Sequence, residues 1–493
     1  MSYPLATDRP NLLLITTDQH RYDALGCAGH PLIRTPNIDR LARNGVRFDR
    51  AYTSNPICQP ARASILTGRY PHEHGVVANL IDLRADEISY VRLLLEHGYH
   101  TASIGATQHF PPYEHYGFRY VDDVYQKIGR IDNYRRYLKR IDLDHLDAKA
   151  KGEESPFYVY TSALPAQHYC DSYIGRKATE FIENNTQHPF MLWVGFCGPH
   201  FPFDPPEPYD TMYDPSDVPL PPKVAGDLEG KPGMHFWHQN MGYEKLDDEI
   251  LRKIRSHYFG NITLIDEWVG KIIDALERMG LHENTFIVFT ADHGELLGDH
   301  GLLWKCEHGM YEPSVRVPFI ASGAGGFVGG RTLNEFVECV DIAPTFLELA
   351  GVDVPRAMQG RSLLPAAQNH LADWRDAAFC EGRAIQTREG LDYGNPDMSV
   401  VMIRTDRWKY IYHRNDPQFC ELYDLQNDPD ECHNLIFQSE HSSVAAELKQ
   451  RILLWRFDTQ RALHGHVSAD FTEILNRPFR SRAGKNDAIR AEP

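Results

Sequence analysis

No apolar run in this chain approaches the roughly 18 residues that crossing a bilayer requires. Near the start, Leu12-Leu-Leu-Ile-Thr16 is too short, and too soon followed by Asp18, for a signal-peptide core. The expectation is a cytoplasmic protein with no membrane partner. Paired cysteine spacing is also missing. Nine cysteines, an odd number, stand at 27, 58, 170, 197, 306, 339, 380, 420 and 432 without any C-x-x-C, which argues against a disulfide framework and a structural zinc site. Positive charge is in short supply: 51 Lys and Arg face 68 Asp and Glu, for a net charge of -17. Nucleic acid and anionic membrane surfaces are poor partners for such a field, so an anionic substrate needs a local positive site. Internal repeats are absent as well.

What is present is a globular composition, 42% hydrophobic and 24% charged, in 493 residues. That length suits one large α/β domain and a smaller one. Asn11-Leu-Leu-Leu-Ile-Thr-Thr17 is continuously apolar, as a strand covered on both faces of a largely parallel sheet would be, and it runs into Asp18-Gln19. Thr35-Pro-Asn-Ile reads as the capped start of a helix. Further strands are expected at Tyr99–Gly105, followed by the loop Ala106–Phe110, and at Phe190–Phe196, ending at Gly198-Pro-His200. The basic stretch 126–142 reads as a solvated helix face, with an entrance or a subunit contact as the alternative. Ile262, Ile265, Trp268, Ile272 and Leu276 recur at helical spacing, so Trp268 is read as packing. Thr285–Thr290 is a strand running into Asp292-His293-Gly294-Glu295, and if it lies parallel to the first, Asp18, Gln19, Asp292 and His293 meet at one sheet edge. Beyond about residue 375, Ser399–Arg404, Trp408–Tyr412 and Cys420–Leu425 alternate with turns, as in a small antiparallel sheet. The expected division is 1–375 for catalysis and 376–493 for a C-terminal subdomain, with a tail from about Gly465 that favours self-association into a homo-oligomer.

The stretch Asn55-Pro-Ile-Cys-Gln-Pro-Ala-Arg-Ala-Ser-Ile-Leu-Thr-Gly-Arg69 organises the rest. Pro60 suits a first helical turn and Gly68 a helix end, which places Cys58 near an N-cap, where backbone N–H groups and the helix dipole favour an anion. Arg62 lies one turn on, on the same face. The peptide alone equally describes a surface helix with a low-pKa cysteine.

Cys58-Gln-Pro-Ala-Arg62 with Leu66-Thr-Gly68 resembles the C-x-P-x-R…L-T-G signature of the type I, formylglycine-dependent sulfatases of the alkaline phosphatase superfamily. Asp18-Gln19, Gly198-Pro-His200, Asp292-His-Gly-Glu295, Lys305 and Glu421-Leu-Tyr-Asp-Leu extend the resemblance over nearly the whole chain. It implies an alkaline-phosphatase-like fold: a large mixed sheet sandwiched by helices, with a small C-terminal antiparallel-sheet subdomain. It implies an arylsulfatase-like hydrolase of a small sulfate monoester. A formylglycine-generating enzyme would convert Cys58 to 3-oxoalanine, and one hydroxyl of the hydrated aldehyde would attack sulfur. Asp18, Gln19, Cys58, Asp292 and His293 would hold one divalent metal. Arg62 would steady the nucleophile, His109, His200 and Lys305 would serve the ester and leaving group, and Asn79 and Gln108 would contact substrate.

Two departures matter. Many members carry Asp where this chain has Gln19 and Asn where it has His293; calcium is the usual family metal, and the imidazole opens the site to manganese. The G-K-x-H loop of sulfatases is replaced by Gly105-Ala-Thr-Gln-His109, without the lysine that grips sulfate. Phosphonate monoester hydrolases resemble the chain in these respects. A phosphonate monoester or phosphodiester is therefore the alternative substrate, and a metal-binding protein with an unmodified Cys58 is the third reading.

Overall fold

The computed structural model describes residues 9–108, 111, 114–124, 132–152, 157–185, 187–231, 238, 241–305, 309–371, 373–382 and 400–460. Eight strands form its main sheet: β1 (Asn11–Asp18), β2 (Val46–Tyr52), β3 (His100–Gly105), β4 (Tyr120–Asp123), β5 (Phe190–Pro199), β6 (Thr285–Ala291), β7 (Phe319–Gly323) and β8 (Arg331–Glu338). Their order is β4-β3-β5-β1-β6-β7-β2-β8. The sheet is mixed, because β7 runs antiparallel to both β6 and β2 while the other pairings are parallel.

Strand β1 lies at the centre of the chemistry, and its burial explains its composition. Leu12 and Leu14 point into one core cluster with Trp193 and Phe346, whereas Leu13 and Ile15 point into another with Val194 and Ile265. Period-two alternation with both faces covered leaves no place for a charged side chain until the strand ends at Asp18. The second cluster is closed by α1 (Pro36–Asn44), the helix Cys170–Asn184 and the long helix Asp248–Arg278. Trp268 of that helix is half-buried and donates its indole N–H to Ser172 Oγ at 2.9 Å, as a packing residue does.

Thr35 is the N-cap residue of α1, but its side chain does not cap. Its hydroxyl bonds Asp39 at 3.0 Å, and Asp266 of the long helix accepts the N–H groups of Asn37 and Ile38 instead, at 3.0 and 2.8 Å. A residue 229 positions away along the chain thus supplies the cap, which no local pattern reveals.

The second sheet is antiparallel, in the order β12-β11-β10-β9, with β9 (Ala377–Gly382), β10 (Val400–Thr405), β11 (Trp408–His413) and β12 (Glu421–Asp424). Strand β9 carried no signal in the sequence reading. Met402, Ile411 and Tyr423 share one core cluster with Tyr52, Tyr311 and Phe336, so the two sheets are packed together. No helix among the described residues is long and apolar enough to cross a membrane. The tail from Gly465 lies outside the described residues, and of the basic stretch 126–142 only the helix Asn133–Arg140 and its flanks are described.

Candidate active site

Parallel pairing of β1 with β6 brings the expected residues to one sheet edge. Thr17 registers with Ala291, and the next residues on each chain are Asp18 and Asp292. On the other side, Asp18 registers with Pro199 of β5, which puts His200 one residue past the same edge. The third contribution comes from α2 (Cys58–Thr67), whose first residue is Cys58 and whose end is Gly68 in the left-handed region, φ 65°.

All ten residues of α2 are buried, which rules out a surface helix. Its N-terminus is occupied by side chains: Asn79 Oδ1 accepts the Gln59 N–H at 3.1 Å, while Gln59 returns a bond to the Leu80 N–H. Pro60 contributes no N–H. Less of the helix start is open to an anion than the sequence suggested, and the Asn79 carbonyl is engaged in holding it.

One guanidinium joins the two strand ends. Arg62 Nη2 donates to Asp18 Oδ2 and Nε to Asp292 Oδ2, each at 2.9 Å, with all three side chains buried. Cys58 Sγ lies 2.9 Å from Lys305 Nζ, 3.2 Å from His293 Nε2 and 3.5 Å from Asp18 Oδ1. Gln108 Nε2 reaches Asp18 Oδ2 at 3.5 Å. Ligand atoms of Asp18, Cys58, Asp292 and His293 all lie within 4.8 Å of one another.

Burial, then the proximity of Asp292, raises the Asp18 carboxyl above the usual carboxylate range. Burial acts in the same direction on Asp292, but His293, Arg62 and Lys305 outweigh it and hold this carboxyl low. Two buried carboxylates facing one small space disfavour double ionisation unless further positive charge enters. Burial also lowers His293 to about 4, leaving a neutral imidazole. Its Nδ1 lies 2.8 Å from the Gly294 carbonyl, which fixes the proton there and turns an unprotonated Nε2 towards the site. For Cys58, burial and Asp18 push the thiol up, opposite to the low-pKa cysteine that the peptide alone allowed.

Gln19 completes the donor set. It sits in the left-handed region, φ 68°, with its N–H on Asp292 Oδ1 at 3.1 Å and its carbonyl accepting from Tyr258 at 2.8 Å. Its amide Nε2 donates to Glu295, and its buried Oε1 has no hydrogen-bond partner among the described residues. A buried carbonyl oxygen left bare on the residue that follows Asp18 and bonds Asp292 through its N–H fits an oxygen-preferring divalent cation. Glu295, named in the sequence motif but given no role there, supports this set. Its carboxylate accepts from Gln19 Nε2 and from the backbone N–H of Leu297 and Trp304, so it orients the amide and ties down the loop that carries Lys305. Its place two residues after His293 was the available signal. Gly294 allows this turn, since a Cβ there would stand 1.9 Å from the Pro313 carbonyl.

His200 is half-buried, with Nδ1 2.6 Å from the Phe201 carbonyl and its ring stacked on Phe201. His109 lies outside the described residues.

The fold, with its large mixed sheet and separate small antiparallel sheet, is that of the alkaline phosphatase superfamily. Residues 10–352 match the Sulfatase family model, and residues 298–458 match that of N-sulphoglucosamine sulphohydrolase, C-terminal. The chain belongs to the sulfatase family. It is 30% identical over 477 residues to an arylsulfatase of Clostridium perfringens, covering 90% of this chain and 94% of that protein. It is also 30% identical over 494 residues to the multifunctional alkaline phosphatase superfamily protein PehA of Trinickia caryophylli, covering 91% and 95%. Among solved structures, the phosphonate monoester hydrolase of Agrobacterium radiobacter superposes with a TM-score of 0.79 at 26% identity, over 92% of this chain and 96% of that one.

Proposed function

We propose that this sulfatase-family enzyme cleaves a small sulfate monoester, using a formylglycine made from Cys58 and one divalent cation. The observation that carries the reading is the clustering of the ligand atoms of Asp18, Cys58, Asp292 and His293, with the buried Oε1 of the adjoining Gln19 left without a partner among the described residues. Those five positions would hold the cation. When bound, the cation supplies Lewis acidity, and the aldehyde hydrate supplies a hydroxyl nucleophile and a route for releasing sulfate.

The chain's own residues do the rest. Arg62 fixes the separation of Asp18 and Asp292 and neutralises part of their charge. Lys305 places an ammonium against position 58, where it steadies negative charge developing on the nucleophile. His200, beyond the end of β5, donates a proton to the departing oxygen, with His109 serving the same side. Asn79 and Gln108 flank the substrate. Together these effects must supply roughly 20 kcal/mol for so inert an ester.

Calcium suits the oxygen donors; the His293 nitrogen favours manganese. Residues 1–375 carry the chemistry in this reading, and 376–493 brace them. Self-association belongs to it as well, supported by Leu453, Leu454 and Phe457, which stand 48%, 53% and 70% exposed on the helix Ser442–Asp458.

A phosphonate monoester or phosphodiester is the second reading, favoured by Gln19 and His293 in place of the commoner Asp and Asn and by the likeness to a phosphonate monoester hydrolase. Comparing kcat/KM on phenyl sulfate and a phenyl phosphonate monoester, with enzyme from a host that makes formylglycine, separates the two. A strong phosphonate preference overturns the first. Peptide mass spectrometry showing Cys58 unmodified, in enzyme without esterase activity, removes both.

A further inference from the structure

A cavity of about 210 Å³ lies between the loop after β1, the long helix Asp248–Arg278, the loop after β6 and the C-terminal segment 429–432. None of the residues assigned to the cation or the ester lines it. Three basic side chains do. Arg21 pairs with Asp23 and Asp299, and His300 Nδ1 lies 2.9 Å from Asp227. Arg255 pairs with no carboxylate among the described residues. It is 7% exposed; its Nη1 donates to the Leu297 carbonyl at 2.8 Å, and its Nε has no partner. Burial, then the like charge of Arg21, lowers this guanidinium to about 10, as happens to a buried charge without compensation. The acids of the wall cannot compensate it, because other cations already hold them: Arg21 holds Asp23 and Asp299, Lys231 holds Asp227, and Lys409 holds Glu312 and Glu431. Asp430, which is exposed, is the one acid of the wall without a cation partner among the described residues. Asp227, His300 and Cys432 offer ligand atoms within 4.8 Å of one another, but the Lys231 ammonium, 2.6 Å from Asp227, already fills the need for positive charge there.

We propose that this cavity binds a short-chain aliphatic monocarboxylate, with its carboxylate accepting from Arg255 and its chain lying against Pro221, Pro222, Pro313 and Pro429. The edge of the guanidinium that the Leu297 bond leaves free, Nε with Nη2, carries two parallel N–H groups at the spacing of the two oxygens of a carboxylate. The volume equals roughly seven waters, which suits a four-carbon acid. Asp430 repels a second carboxylate, so dicarboxylates are disfavoured. Leu297, which accepts from Arg255, gives its own N–H to Glu295 at 2.8 Å. The guanidinium that holds the acid thus also holds the loop behind Gln19. Binding requires neither the cation nor the formylglycine.

The test follows Tm of the full chain against butyrate, butyramide, succinate and inorganic phosphate at matched ionic strength. Butyrate should raise Tm saturably, with a Kd of about 1 mM or tighter, and butyramide should not. Succinate should bind more weakly than butyrate. Arg255→Lys keeps a positive charge and a donor for Leu297 but loses the fork, and should weaken butyrate by about tenfold. Asp430→Lys, at an exposed position, should tighten butyrate by about threefold, and it decides the matter if Arg255→Lys does not fold. No saturable shift with butyrate, an affinity within twofold of wild type in folded Arg255→Lys, or no tightening in Asp430→Lys overturns the proposal. An equal, Arg255-dependent response to phosphate overturns the carboxylate assignment.

Discussion

The ammonium of Lys305 stands 2.9 Å from the sulfur of Cys58. A cation delivered by the loop after β6 therefore touches the first side chain of α2, whose atoms also face Asp18 and His293. Cys58 Sγ, which stands where an oxygen of the proposed formylglycine would be, thus lies between the Lys305 ammonium and the clustered side chains of Asp18, Asp292 and His293.

Cys58→Ala should abolish turnover and leave the fold in place. Losing one buried sulfur costs about 1 kcal/mol, or about 2 °C for a chain of this size, and Lys305 keeps Asp18 at 3.9 Å. Turnover assays paired with calorimetry check this. A fall in Tm that accounts for the lost activity would mean that Cys58 is structural.

Asp292→Asn should purify with well under one metal ion per chain, measured by plasma emission. Asparagine still accepts the N–H groups of Gln19 and His293 but no longer offers Arg62 a charge. Dialysis of wild type against a chelator should lower Tm for a related reason, since an ion bound only by the folded state stabilises it. Unchanged metal content in the variant would refute the ligand assignment.

Glu295→Gln should turn the Gln19 amide over. Two amide donors would face each other, and Gln19 would swing its Oε1 out of the site to accept from the new side chain. Metal content should fall with little change in secondary structure by circular dichroism. The double variant Gln19→Glu with Glu295→Gln restores a donor opposite an acceptor and should regain the metal. A merely structural Glu295 would show no such rescue.

Asp171 gives a pH signature away from the donor set. Burial raises its carboxyl to about 7, even though it accepts the backbone N–H groups of Cys197 and Gly198. The folded value lies above the unfolded one, so the contribution to stability is full below pH 4 and is lost as the pH rises through 7, by on the order of 4 kcal/mol. Tm measured from pH 5 to 8 should fall in wild type relative to Asp171→Asn. Parallel curves would show that this carboxyl does not titrate in the folded protein.

The charged ends of apolar runs were legible because a fully buried strand excludes charged side chains until it stops: Asp18 after Leu12–Thr17 and Asp292 after Phe286–Ala291 marked themselves. The start and end of α2 were equally plain, from Pro60 and Gly68. Glu295, the Asn79 bond to Gln59 and the Asp266 cap on α1 were not, since each depends on a partner that no local pattern names.

By itself, the sequence determined the alternation that buries β1 on both faces, the helix that begins at Cys58, and the residue types available for chemistry, because these follow from short-range periodicity and backbone preference. Tertiary structure decided the rest. Only the parallel register of β1 and β6 puts one Arg62 within reach of two carboxylates 274 positions apart, and only the folded neighbourhood lets burial raise Asp18 while His293, Arg62 and Lys305 hold Asp292 down against the same burial. Charge interactions depend on distance and on exclusion of water, and neither is written in the order of residues.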